Sequence, residues 1–157
     1  MFIDSNLVFS SAQTFNSIGT GTAASTNIID LQNAREMSVG DTPGVKLVVY
    51  NSTAAATSTG SGTLNIQFQG STTTNGTWTT YAESAAIPVA NIGASALIWS
   101  IHVPRRVAGV AMPRYLQLNY TVGTATISTG ALTAFLTIGK DENLSSSEYA
   151  AGYSVCS

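Results

Sequence analysis

Leu64, Ile66 and Phe68 alternate with Asn65, Gln67 and Gln69, the period-two pattern of a strand with one face buried. The same alternation runs through Leu116, Leu118, Tyr120 and Val122 against Tyr115, Gln117, Asn119 and Thr121. It returns in Leu132, Ala134, Leu136 and Ile138 against Thr133, Phe135 and Thr137. Lys46 to Tyr50 is β-branched and apolar on both faces, and Ala96 to Val103 puts Leu97, Trp99, Ile101 and Val103 on one side, so both read as sheet interior with Trp99 in the core. Weaker strands are predicted over Asn6 to Phe9, Ala23 to Leu31 and Trp78 to Glu83, which makes about eight in all.

Turn formers separate these runs: Gly19-Thr20-Gly21, Gly40 to Gly44, Ser58 to Gly62, Asn75-Gly76 and Thr129-Gly130. Asn75-Gly76 predicts a tight type I′ hairpin, because both residues tolerate positive φ and Thr-rich strands flank them. No stretch keeps apolar residues at helical spacing for three turns, and at most one helical turn fits around Leu31 to Met37. Short antiparallel strands with frequent turns point to an all-β fold, a two-sheet sandwich or a jelly roll. The pattern stops after Ile138. Residues 1–139 therefore read as the domain and 140–157 as a polar segment, either a frayed tail or an arm that uses Leu144, Tyr149, Tyr153 and Val155 on a neighbouring subunit.

Composition narrows the functions open to such a domain. With 157 residues one core is expected. Only 9% of the residues are charged, against about 25% in an average domain, and hydroxyl groups take their place. Six Lys plus Arg and a formal net charge of −2 supply too few phosphate contacts for nucleic acid to be a partner. The lone Cys156 cannot form an internal disulfide, so stability must come from packing. Residues 1–5 show no basic segment followed by an apolar run, and the apolar stretches are strand-sized, which predicts a soluble protein made in a cytoplasm, with no membrane partner.

Catalytic groups are scarce. His102, the single histidine, falls on the polar parity of its strand with no acid within several residues, so a Ser/His/Asp triad has no base and a metal no cluster of ligands. Glycosidase chemistry needs two converging carboxylates. Asp30, Glu36, Asp41 and Glu83 each sit in or near a turn, with ready roles as caps or ion-pair partners. No catalytic residue, metal site or cofactor is expected, and an enzyme remains open only through such a carboxylate pair. Arg35 is expected either to pair locally with Asp30 or Asp41 or, like Arg105 and Arg106, to meet a partner protein. The apolar loops Ala85 to Ile92 and Pro104 to Pro113 read as the end of the core or as an interface. A carbohydrate-binding or fibre module, with Trp78, Tyr81 or Trp99 as sugar platforms, is the alternative class of binding surface.

The stretch Ala24 to Leu31, followed by Ala34-Arg35 and Gly40-Asp41, resembles the opening motif of the cementing, or decoration, proteins of short-tailed phages similar to the Bordetella phage. Ala86 to Asn91 and Pro113 to Val122 extend the resemblance in order and spacing, from about Asp4 to Ile138. It implies a jelly roll that assembles as a homodimer, or alternatively a trimer, on the outer face of an icosahedral capsid. There it would clamp adjacent capsomers by binding the major capsid protein. On that reading the candidate capsid or subunit contacts are Phe2, Asp4, Arg35, Arg105, Arg106, Tyr149 and Tyr153. The chain departs from the family pattern after Gly139 and in the Thr-rich segment around Asn75-Gly76.

Overall fold

The computed structural model describes residues 5–15, 20–34, 44–57, 61–104, 106–107 and 110–138. A 3-10 turn at Ser5–Leu7 leads into β1 (Val8–Thr14), followed by β2 (Gly21–Ala24), β3 (Ile29–Asp30), β4 (Val45–Thr57), β5 (Thr63–Ser71) and β6 (Thr79–Glu83). The two-residue strand β7 (Ile87–Pro88) and a second 3-10 turn, Val89–Asn91, precede β8 (Ala96–His102). A small ladder of β9 (Arg106–Val107) and β10 (Val110–Ala111) leads to β11 (Tyr115–Gly123) and β12 (Ile127–Ile138).

Two antiparallel sheets form, in the orders β1-β12-β4-β8 and β2-β11-β5-β6, with β3 added to β11 and β7 to β5. The pairs β1·β12, β2·β11, β4·β8 and β5·β6 are nested in the sequence. They describe one long antiparallel ribbon with its tip at β5·β6. Wrapping that ribbon brings β12 beside β4 and β11 beside β5. This is the jelly roll, and eight strands are longer than two residues, but the strand predicted over Ala23 to Leu31 is broken into β2 and β3, and Asn6 and Leu7 lie in the 3-10 turn ahead of β1.

The core lies between the sheets. Leu64, Ile66 and Phe68 from β5 meet Leu116, Leu118, Tyr120 and Val122 from β11, all at most 2% exposed. Leu47, Val49, Leu132, Ala134 and Leu136 face them from the other sheet. Of the two apolar loops, Val89, Ile92 and Met112 are buried in this same core, while the side chains of residues 105–111 lie outside the described residues.

One polar cluster crosses the interior. The Tyr120 hydroxyl lies 2.9 Å from Ser10 Oγ, which donates to Gln13 Oε1 at 2.7 Å, so Tyr120 is the donor to Ser10. Gln13 in turn donates to the Ala24 carbonyl and accepts from the Thr26 amide, tying β1 to the segment after β2. Burial pushes the Tyr120 hydroxyl well above the ordinary phenol range. Ser10→Ala would leave that hydroxyl buried without a partner and is expected to cost about 1–3 kcal/mol, more than Tyr120→Phe at about 1 kcal/mol. Urea denaturation of both single variants and the double variant checks this. The double variant should be less destabilised than the sum of the singles.

Several expectations require correction. Trp99 is half-buried and Leu97 is exposed, because β8 is the edge of its sheet and not its interior. Residues 72–78 connect β5 to β6, and neither Asn75 nor Gly76 has positive φ, so no two-residue type I′ hairpin forms. Thr129-Gly130 is not a turn but lies inside β12, where the register against β4 shifts repeatedly. Leu31 to Ala34 contains no helical turn, and Gln32 has φ +65°; the remainder of that predicted turn falls outside the described residues.

Candidate binding surfaces

Alternation on two paired strands sends one set of side chains outward. On the outer face of the β2-β11-β5-β6 sheet, Gln117 stands opposite Gln69 and Asn119 opposite Gln67. Directly opposed residues on one face are close enough to bond. Gln117 Nε2 donates to Gln69 Oε1 at 3.0 Å, and Asn119 Nδ2 to Gln67 Oε1 at 3.1 Å. Gln69 Nε2 reaches both Gln67 Oε1 and Thr80 Oγ1 at 3.2 Å, joining three strands. Nearby, Asn65 Nδ2 donates to the Ser84 carbonyl at 2.7 Å. The result is an uncharged carboxamide ladder held in place by its own bonds. Gln117 is buried, whereas Gln67, Gln69 and Asn119 are half-buried, and since each carboxamide offers two donors and two lone pairs, those three keep capacity for a partner's polar groups. Such a face can bind but cannot move a proton at neutral pH.

At the edge of the same sheet Asp30 and Arg114 form a two-point ion pair, with Nε to Oδ1 and a terminal guanidinium nitrogen to Oδ2 both at 2.8 Å. The Arg114 guanidinium also lies 4.8 Å from the centre of the Tyr115 ring, and the Gln32 amide donates to Asp30 Oδ1 at 2.7 Å. Asp30 therefore pairs with Arg114 across the sheet, and Tyr115 is its register partner; Arg35, expected as a local partner of Asp30 or Asp41, lies outside the described residues. The Arg114 hydrogen bond is the main cause that holds the Asp30 carboxyl down to about 2. A group with a lowered folded-state value contributes stability above its ordinary range, and that contribution disappears as pH falls through the folded value. Carboxyl NMR titration should give an Asp30 midpoint near 2, and Arg114→Met should return it toward the ordinary carboxylate range of 3.8.

Beside this pair lies an open groove of about 760 Å³. Asn6 and Val8 form one wall and Asn27, Ile28, Asp30 and Gln32 the other. The segment between β2 and β3 is pinned to β1, with the Asn27 amide donating to the Phe9 carbonyl at 2.8 Å and Asn27 Nδ2 to the Val8 carbonyl at 3.3 Å. Those bonds close one edge of the sandwich. Ile28, 41% exposed, projects beside it.

Of the residues predicted to make contacts, Phe2, Asp4, Arg35, Arg105, Tyr149 and Tyr153 lie outside the described residues, and Arg106 is placed only as a backbone position of β9, opposite Ala111. His102 is exposed on β8, opposite Lys46, as its parity predicts. Glu36 and Asp41 also lie outside the described residues. Glu83 stands opposite Gln67, and Asp30 is committed to Arg114. Of the proposed sugar platforms, Trp78, Tyr81 and Trp99 are all half-buried, and Tyr81 is tilted against Phe68 with ring centres 6.5 Å apart. Sequence reasoning did not find the carboxamide ladder. Its signal was present as Asn and Gln on the polar parity of two strands, but only the register shows that they meet.

A family model described as Bbp16 matches residues 9–136, from Phe9 in β1 to Leu136 in β12. The chain belongs to the Bbp16 family. Bbp16 is a Bordetella phage protein, in keeping with the phage lineage that the sequence motifs suggest. No curated protein matches the chain. The Bbp16 match takes in all eight long strands, at least in part, together with the carboxamide ladder and the Asp30–Arg114 pair. Among the described residues no helix is long and apolar enough to cross a membrane.

Proposed function

We propose that this Bbp16-family chain is a structural virion protein that binds the outer surface of an icosahedral phage capsid as a homo-oligomer, with a homodimer as the simplest arrangement, and cements adjacent capsomers. The observation that carries this reading is the family match across the whole jelly roll. The physics of a clip is compatible with the surfaces present. A ligand that binds only the assembled shell stabilises it by mass action, and two linked sites on neighbouring capsomers multiply the effect. Area serves this purpose better than chemistry. An uncharged, pre-bonded carboxamide face loses little side-chain freedom on binding and avoids the desolvation cost of buried charge.

Co-sedimentation with purified shells of the matching phage tests the proposal. The chain is expected in the pellet with its major capsid protein, and recovery only in the supernatant would overturn the reading. Arg35→Ala, or removal of residues 140–157, is expected to lower capsid occupancy while leaving the isolated fold intact. Unchanged occupancy in both variants would place the contact elsewhere, with the carboxamide ladder the next surface to alter.

A further inference from the structure

Asn75-Gly76 has the sequence of a tight hairpin, and the fold does not use it as one. Residues 72–78 form a longer connection between β5 and β6, in which Asn75 and Gly76 are both exposed and neither takes positive φ. A type I′ turn would fix the pair between two strands of a bonded ladder. Here the Gly76 amide donates to the Thr73 carbonyl at 3.5 Å, beyond the usual range for such a bond. The Asn75 carboxamide is bonded to none of the described residues. Other asparagines differ from it in bonding, in sequence or in both. Asn27, Asn51, Asn65 and Asn119 are tied through their side-chain nitrogens to carbonyl oxygens. Every asparagine except Asn75 is followed by a residue that has a side chain, and the exposed Asn33 and Asn91 precede Ala34 and Ile92.

We propose that Asn75 is a site of spontaneous deamidation through a cyclic imide, with water as the only co-reactant. The reaction is intramolecular, so the nucleophile already stands beside its target. The Gly76 nitrogen attacks Asn75 Cγ, the new N–C bond closes a succinimide ring, the Cγ–Nδ2 bond breaks, and ammonia leaves with the Gly76 amide proton. Water then opens the ring at either carbonyl. Cleavage at the Cγ–N bond restores the ordinary backbone with aspartate at this position, whereas cleavage at the backbone carbonyl routes the chain through the side chain as isoaspartate. Nothing is oxidised or reduced. A side chain on the following residue would crowd the attack, and glycine has none. Exposure lets the Asn75 side chain exchange rotamers rapidly and admits water, and no strand ladder holds the connection against ring closure. The product brings charge to a stretch that has none, since Ser71 to Thr80 contains no charged residue. Ser71 pairs with Tyr115 at the head of β11, so the new carboxylate arises toward the end of the sheet that bears the Asp30–Arg114 pair. It makes the formal net charge of −2 one unit more negative.

Ageing the full chain in mildly alkaline buffer at physiological temperature tests this, because base generates the amide anion that attacks. Isoelectric focusing is expected to show an acidic band that grows with time. Peptide mapping should place the change at Asn75 as a mixture of aspartate and isoaspartate, while Asn33 and Asn91 keep their amides. The far-UV circular dichroism of the aged protein should be unchanged, since the site lies outside the strands. Asn75→Gln keeps a carboxamide but enlarges the ring that must close, and it is expected to lose the acidic band. The proposal is overturned if no acidic band forms in the parent chain, if the band persists in Asn75→Gln, or if the change maps to another asparagine. Aspartate without isoaspartate would also overturn it, because water would then have attacked the side chain directly.

Discussion

Phe68→Ala is expected to lower the stability of the domain by about 3–5 kcal/mol, the cost of emptying a fully buried phenylalanine site. Phe68 is 0% exposed at the middle of β5. Its ring meets Phe9 edge-to-face at 6.2 Å and Tyr81 at 6.5 Å, and aromatic contacts of this kind add about 0.5–1.5 kcal/mol each beyond area burial. Leu118 and Ala82 flank it in the sheet. These neighbours sit on fixed strands, so the cavity cannot collapse and the upper part of the range applies. Since a domain of this kind is stable by only about 5–15 kcal/mol, the variant should lose roughly a quarter or more of its margin. Urea denaturation is expected to show a lower midpoint at unchanged slope. A midpoint within error of the parent protein would mean that Phe68 is not in the core.

The alternation around Phe68 is also what made the fold legible. Leu64, Ile66 and Phe68, like Leu116 to Val122, show one buried face in the sequence because central strands of a sandwich obey period two without interruption. Where strands meet an edge or a bulge the same reading falters. Leu97 and Trp99 look like interior residues by parity, yet β8 has a neighbour on one side only, and nothing local announces an edge. Phe135 has the polar parity of Thr133 and Thr137 and lies between the core-facing Ala134 and Leu136, yet it is fully buried, which no periodicity encodes.

The candidate surfaces were less legible than the core. Asp30 and Arg114 are separated by 84 positions and become partners only because β3 joins β11. The carboxamide ladder likewise depends on the β5·β11 register. Charge clusters in sequence, such as Arg105-Arg106, attract attention because they are local, whereas the surface that the fold assembles draws on strands from both halves of the chain. The family motifs were easier to recognise, since stretches such as Pro113 to Val122 are contiguous in the sequence and need no register to bring them together.

Gly130→Ala is the second substitution expected to be severe, at about 2–6 kcal/mol, because two costs of about 1–3 kcal/mol each combine there. The first is conformational: Gly130 has φ +116°, in a region that side chains rarely adopt. The second is steric. A methyl group would stand 2.6 Å from Phe15 Cδ2, 2.8 Å from Phe15 Cε2 and 3.2 Å from the Ala55 backbone. Phe15 is 0% exposed and has no room to withdraw. The strained backbone has a cause in the ladder. The β12·β4 register shifts between Ile127 and Thr129, between Thr129 and Ala131, and between Ala131 and Leu132, and Asn51 repairs the disruption by accepting from the Ala131 amide at 3.1 Å while donating to the Thr53 and Gly93 carbonyls. A residue without a Cβ lets Phe15 lie flat across this bulge. The two costs can be separated, because Phe15→Leu in the Gly130→Ala background should recover part of the steric loss and none of the conformational one. Chemical denaturation of the two single variants and the double variant is then expected to show a positive coupling, with the double variant less destabilised than the sum. Strict additivity would show that Phe15 does not rest on the bulge.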